Sequence, residues 1–105
     1  MLGAALEYLK AHFLETVSLD DVAAAAGTSK RTLVRLFRLK QGRTVLQHLH
    51  RLRLEYACSR LRMSHDKIIA VALASGFNSI QSFNRAFRIE LGCTPGQWRK
   101  STRHF

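Results

Sequence analysis

Between Lys30 and Arg43 the chain carries six basic residues, Lys30, Arg31, Arg35, Arg38, Lys40 and Arg43, and no acid. Wound at 100° per residue, Leu33, Leu36 and Phe37 fall on one side of a helix, while Arg31, Val34, Arg35 and Arg38 collect on the other, with Lys30 at its edge. Fifty residues downstream the same split returns: Phe83, Ala86 and Phe87 inward, Gln81, Asn84, Arg85 and Arg88 outward. A face meant only for water usually mixes Glu with Lys so that the charges pair along the helix. These faces lack an acid to pair with. They carry guanidinium and amide groups, whose forked donors and acceptors match base edges in a DNA major groove. The chemistry on offer is therefore recognition. His48, His50, Cys58 and His65 have neither CxxC nor HxxxH spacing, and His48 and His50, two apart on a helix, point in different directions. With no Ser–His–Asp arrangement and no Gly-rich phosphate loop, we expect no catalytic residue, no metal and no cofactor.

The elements that must position these faces form a repeat. At an offset of 50, Ser29 matches Ser79, Arg35 matches Arg85, Phe37 matches Phe87, and Gly42, Thr44 and Gln47 match Gly92, Thr94 and Gln97. Upstream the offset becomes 49, with Val22 on Val71, Ala23 on Ala72 and Gly27 on Gly76, so the second copy carries one extra residue in its turn, at Phe77–Asn78. In the first copy Ser18 precedes Leu19-Asp20-Asp21, a near capping box with acids where the helix dipole favours them. Gly27 ends that helix, and Ser29 caps a second one running to about Lys40, before Gly42. A short helix, a Gly turn and a longer helix is the helix-turn-helix pattern.

Between the copies, Val45 to about Met63 reads as one helix capped by Thr44. It has two apolar stripes, Val45-Leu49-Leu52-Tyr56 and Leu46-Leu54-Ala57-Cys58-Leu61, so each copy can pack on part of it. Its length, roughly 28 Å, is close to the ~34 Å of one DNA turn. That match would let it hold two recognition helices in successive major grooves. At the N-terminal end, Leu2 to Glu15 carries Leu2, Ala5, Leu6, Leu9 and Phe13 at helical spacing. After the second copy, Thr94-Pro95 is a cap with Pro at the first helical position, and a short helix follows through Trp98 and Arg99, with Trp98 plugging the second core. The tail from Lys100 is expected to fray.

Composition agrees with this reading. The chain has 105 residues, 17 Lys and Arg against 7 Asp and Glu, and a net charge of +10. Such a charge on a small patterned chain calls for an acidic partner. At 47% hydrophobic with one Pro, the chain is expected to pack as helices rather than stay disordered. No apolar run reaches the roughly 18–20 residues that span a bilayer, and nothing near Met1 reads as a signal peptide. We expect a soluble, cytoplasmic protein with no membrane partner and with Cys58 and Cys93 reduced. A membrane-surface protein would instead show one basic amphipathic helix with aromatics on its apolar face.

Several stretches match a known family: Ser18-Leu19 through Ala23 to Gly27, Leu33-x-x-x-Phe37, Arg53-Leu54-x-x-Ala57, Gly76-Phe77, Phe83-x-Arg85-x-Phe87-Arg88, and Gly92-x-Thr94-Pro95-x-x-Trp98-Arg99. Over nearly its full length the chain resembles the DNA-binding domain of AraC/XylS-type bacterial transcription regulators. The resemblance implies an all-α fold of seven helices, two helix-turn-helix units joined by a long central helix, and binding to promoter DNA. We expect one DNA-binding domain over 1–105, with the first unit at 1–43, the linker helix at 44–64, the second unit at 65–99 and the tail at 100–105.

Carried over residue by residue, the resemblance makes Arg31, Val34, Arg35, Gln81, Asn84 and Arg85 the base-contacting residues. Lys30, Arg38, Lys40, Arg43 and Arg88 would contact phosphates, as would the helix starts at Thr44 and Thr94. Double-stranded promoter DNA is the expected partner, with RNA polymerase as a second. By itself the domain is expected to be a monomer; family members usually carry a further sensing and dimerising domain. Departures from the family pattern are Lys67 where Ser or Thr usually caps, Ala70 for an acid, Val45 for Pro, Trp98 for Tyr, and Ile80 at an often polar position. Asp66 would then cap in place of Lys67, or the helix would start less firmly, and Ile80 would pack or touch a thymine methyl. The rival that shares the charge is a non-specific architectural DNA-binding protein, which needs neither Gln81 and Asn84 nor the paired Arg31 and Arg35.

Overall fold

The computed structural model of the chain describes residues 1–103. Its described residues form seven helices and no strand: α1 Leu2–His12, α2 Leu19–Ala26, α3 Lys30–Gln41, α4 Val45–Met63, α5 Ile68–Ala74, α6 Ile80–Leu91 and α7 Pro95–Thr102. The all-α fold class expected from the sequence is the one observed.

Local chemistry sets most of these boundaries. Ser18 Oγ accepts the Asp21 N–H at 3.1 Å while the Asp21 carboxylate accepts the Ser18 N–H at 3.2 Å, a complete capping box at the start of α2. Gly27 ends α2 at φ 70°, a left-handed conformation that costs a residue with a Cβ about 1–2 kcal/mol. Ser29 and Ser79 cap α3 and α6 in the same way, accepting the N–H of Thr32 at 3.2 Å and of Ser82 at 3.1 Å. Thr44 and Thr94 each form a capping box with the Gln three residues on, at 2.9–3.1 Å, and so start α4 and α7. The repeat seen in the sequence is thus a repeat of caps.

The chain divides into two compact units, Met1–Leu52 and Arg53 onward, with the division inside α4. In the first, Ala5 and Leu9 of α1, Val22, Ala23 and Ala26 of α2, Leu33 and Phe37 of α3, and Val45 and Leu49 of α4 make one buried core. In the second, Leu54, Ala57 and Leu61 of α4 meet Val71 and Ala72 of α5, Phe77 of the turn, and Phe83, Ala86 and Phe87 of α6. The linker helix therefore gives its first half to one core and its second half to the other. Trp98 plugs the second core as expected, with its ring edge-on to Phe87 at 6.2 Å, and Ile80 packs on the same core.

Four expectations shift. α1 ends at His12 rather than Glu15, because Phe13 turns in to pack on the core and Glu15 bonds back to His12 through backbone and side chain. Leu46 is 59% exposed and belongs to neither core; it rims a cleft of about 60 Å³ with Val17, Leu19 and Leu49. Asp66 does not cap α5, whose first residue follows Lys67 with no side-chain cap. α7 runs on to Thr102, and Arg103 is tied down by hydrogen bonds, so the tail does not fray from Lys100; its last two residues lie outside the described ones.

Candidate nucleic-acid interface

In the first unit, burial of Leu33 and Phe37 fixes the rotation of α3, which leaves Arg31, Val34, Arg35 and Arg38 exposed along the opposite side. Val34 is 43% exposed, a β-branched side chain in a row of guanidinium groups. Lys30, at the start of α3, reaches Asp20 of α2, Nζ to Oδ1 3.5 Å, with both side chains more than half exposed. Lys40 is exposed, but it stands seven residues after Leu33, two turns of helix, and so lies near the azimuth of the buried side. It does not share the face of Arg31 and Arg35.

In the second unit, Phe83, Ala86 and Phe87 are buried and Gln81, Asn84, Arg85 and Arg88 exposed. Phe83 is held between Phe77, edge-on at 5.3 Å, and Phe87, tilted at 5.6 Å. The extra turn residue makes this possible, because Phe77, which has no aromatic equivalent in the first turn, is swallowed by the core. Arg53, only 8% exposed, lays its guanidinium 5.9 Å from the Phe77 ring centroid, a cation–π contact. Burial pushes its pKa down from the ordinary arginine value.

The helix starts expected to grip phosphate are also in place, although not equally. Thr44 and Thr94 are half-buried, with their hydroxyls committed to the capping boxes. Beyond the capped Gln47 amide, the first turn of α4 has the N–H groups of Val45 and Leu46 facing out of the helix end. In α7, Pro95 has no N–H, which leaves Gly96 alone. Arg43, half-buried just before Thr44, stands beside the better-equipped of the two starts.

Two sets of polar contacts, made by Asp20 and by Arg99, had no role in the sequence reading. Asp20 engages Lys30 from the preceding helix. Arg99 of α7 donates to the backbone oxygens of Leu61 at 3.0 Å, Asp66 at 2.6 Å and Ser64 at 3.5 Å. The signal for Asp20 was an acid in the first turn of one short helix, ten residues before a lysine. For Arg99 no local signal exists, since its partners lie 33–38 residues away.

A helix-turn-helix domain family matches residues 22–101. The transcriptional regulator Rob of Salmonella typhimurium is 36% identical over 97 residues, covering 92% of this chain and 34% of Rob. A solved AraC-type DNA-binding regulator from Chromobacterium violaceum superposes with a TM-score of 0.88 at 31% identity, covering 98% of this chain and 92% of that one. The DNA-binding domain of AdpA, solved in complex with a target DNA, also gives a TM-score of 0.88 at 31% identity, with 97% and 92% covered. The chain spans about a third of the length of the curated relatives it matches. With this sequence and this fold, the chain belongs to the AraC/XylS-type helix-turn-helix DNA-binding domains.

Proposed function

We propose that the chain binds promoter DNA sequence-specifically and regulates transcription, with α3 and α6 as the two base-reading helices. The observation that carries this reading is the pair of exposed rows, acid-free guanidinium on α3 and amide with guanidinium on α6, each backed by its own apolar core. Arg31 and Arg35 select guanine, Val34 a thymine methyl, Gln81 and Asn84 adenine, and Arg85 guanine. Lys30, Arg38, Lys40, Arg43 and Arg88, with the starts of α4 and α7, hold phosphates and set the register. Each phosphate neutralised steepens the fall of affinity with salt by about 0.9 on a log–log scale. The two helices enter successive major grooves of one DNA face, and the domain binds as a monomer in the bacterial cytoplasm, with RNA polymerase as a second partner.

Selection of bound duplexes from a random pool, followed by titration of the winner against unselected DNA, tests the reading. Two short boxes about one helical turn apart, bound some 10³-fold or more above random DNA, are expected. Tight, salt-sensitive binding with no enrichment would instead favour the architectural protein, which the charge of +10 alone also supports.

A further inference from the structure

The two units start their reading hairpins differently. α2 has a full capping box from Ser18 and Asp21. α5 has none: Lys67 offers no side-chain cap, and no acid stands in its first turn. What holds the start of α5 is the connector before it, where three arginines converge. Arg60 Nη2 donates to the Asp66 carboxylate at 2.9 Å. Arg99 spreads its guanidinium over the carbonyls of Leu61, Ser64 and Asp66. Arg103 donates to the Ser64 carbonyl and lies 3.1 Å from His65 Nδ1. Within the connector, the Ser64 hydroxyl donates to the Arg60 carbonyl at 2.8 Å and accepts the Asp66 N–H at 3.3 Å.

We propose that Arg99 is the positioning residue of the second recognition helix: by donating to the carbonyls of the α4–α5 connector from α7, it anchors the approach to α5, where Ser18 instead anchors α2 by accepting an N–H, and so fixes where α6 presents its side chains. The grip closes a ring. α6 shares the second core with α5, and it touches α7 through Phe87 and Trp98; Arg99, midway along α7, ties that helix back to Asp66, two residues before α5. A planar fork with five donors can satisfy three carbonyls at once, which a lysine ammonium on its flexible stem cannot do in the same geometry. Burial pushes the Arg99 pKa down, with the Arg103 charge acting in the same direction, yet arginine keeps its charge at any pH where DNA is bound.

The inference rests on the reading of α6 as a base reader, so the test carries its own control. Base preference at each position of the selected duplex is measured for the whole chain and for Gln81→Ala, Arg99→Ala, Arg99→Lys, Lys67→Ser and the Arg99→Ala/Lys67→Ser double variant. Gln81→Ala must relax preference in one box; if it does not, the reading of α6 has failed. Given that it does, Arg99→Ala should lower discrimination in that same box by roughly tenfold, the loss of charged hydrogen bonds to backbone, and leave the box read by α3 unchanged. Arg99→Lys, the milder change, should fall between. Lys67→Ser, which supplies the missing cap, should do little alone and recover about threefold or more when Arg99 is absent. Undiminished α6-box preference in both Arg99 variants would overturn the proposal. So would equal damage to both boxes, or the same effect of Lys67→Ser in either background.

Discussion

The two helix-turn-helix units are copies in their backbone punctuation and strangers in their chemistry. Ser29 and Ser79, Thr44 and Thr94, Gln47 and Gln97 do the same work in both. Elsewhere they part. The first unit is closed by an apolar helix, α1, through Ala5 and Leu9, and its turn is three residues long. The second is closed by α7 through Trp98 and the Arg99 grip, and its longer turn buries Phe77. The Asp20–Lys30 pair of the first has Ile69 and Ile80 at the corresponding positions of the second. The lesson is that this duplicated fold keeps the caps of α3 and α6 and of the helices that follow them, loses the cap at the start of α5, and frees what a surface or a neighbouring helix decides.

The contrast can be broken first at the cores. Phe37→Ala and Phe83→Ala each empty a fully buried ring site and should cost about 3–5 kcal/mol. Amide hydrogen exchange should then quicken in α1–α3 for Phe37→Ala and in α5–α7 for Phe83→Ala; loss of protection in both units from either change would erase the distinction. Next come the proposed readers. Arg35→Ala and Arg85→Ala should each weaken specific binding by about 1–3 kcal/mol and relax preference at one base pair, in different boxes. Lys40→Ala, off the reading face, should weaken all sequences alike, and a base-dependent loss would put it back on that face.

A smaller effect separates the caps. Ser18→Ala should lower stability in urea by about 1 kcal/mol; no change would mean that α2, like α5, is held by its neighbours. A pH-dependent contrast concerns a residue of the second unit alone. Burial pushes the Cys58 thiol up to about 11 from 9.0, so the folded state keeps its proton while the unfolded chain loses it. The stability this gives is whole below pH 9 and fades as pH rises towards 11. Cys58→Ala should flatten that alkaline decline, and an unaltered slope would locate the titration elsewhere.

Much of this was legible in the residues. The bounds of α4, the four caps and the inward Leu33-Phe37 and Phe83-Phe87 pairs rest on spacing over a few residues, where sequence and structure speak the same language. The faces of α3 and α6 followed from the same spacing. What escaped depends on partners far along the chain. Leu46 looked like core because its helix position fits a stripe, yet the cleft beside Val17 leaves it in water. The fate of the uncapped α5 could not be read from Lys67, because the grip comes from Arg99. The end of α7 moved for a related reason, with Arg103 finding Ser64 and His65.

The buried residues of the two units form separate cores, and changes at well-separated sites add rather than couple. That has a consequence for heredity. If α3 and α6 both read DNA as proposed, each does so over a core of its own, so a lineage can alter one exposed row while the other still binds. On that proposed reading, the preferred sequence can change one half at a time, through intermediates that still bind.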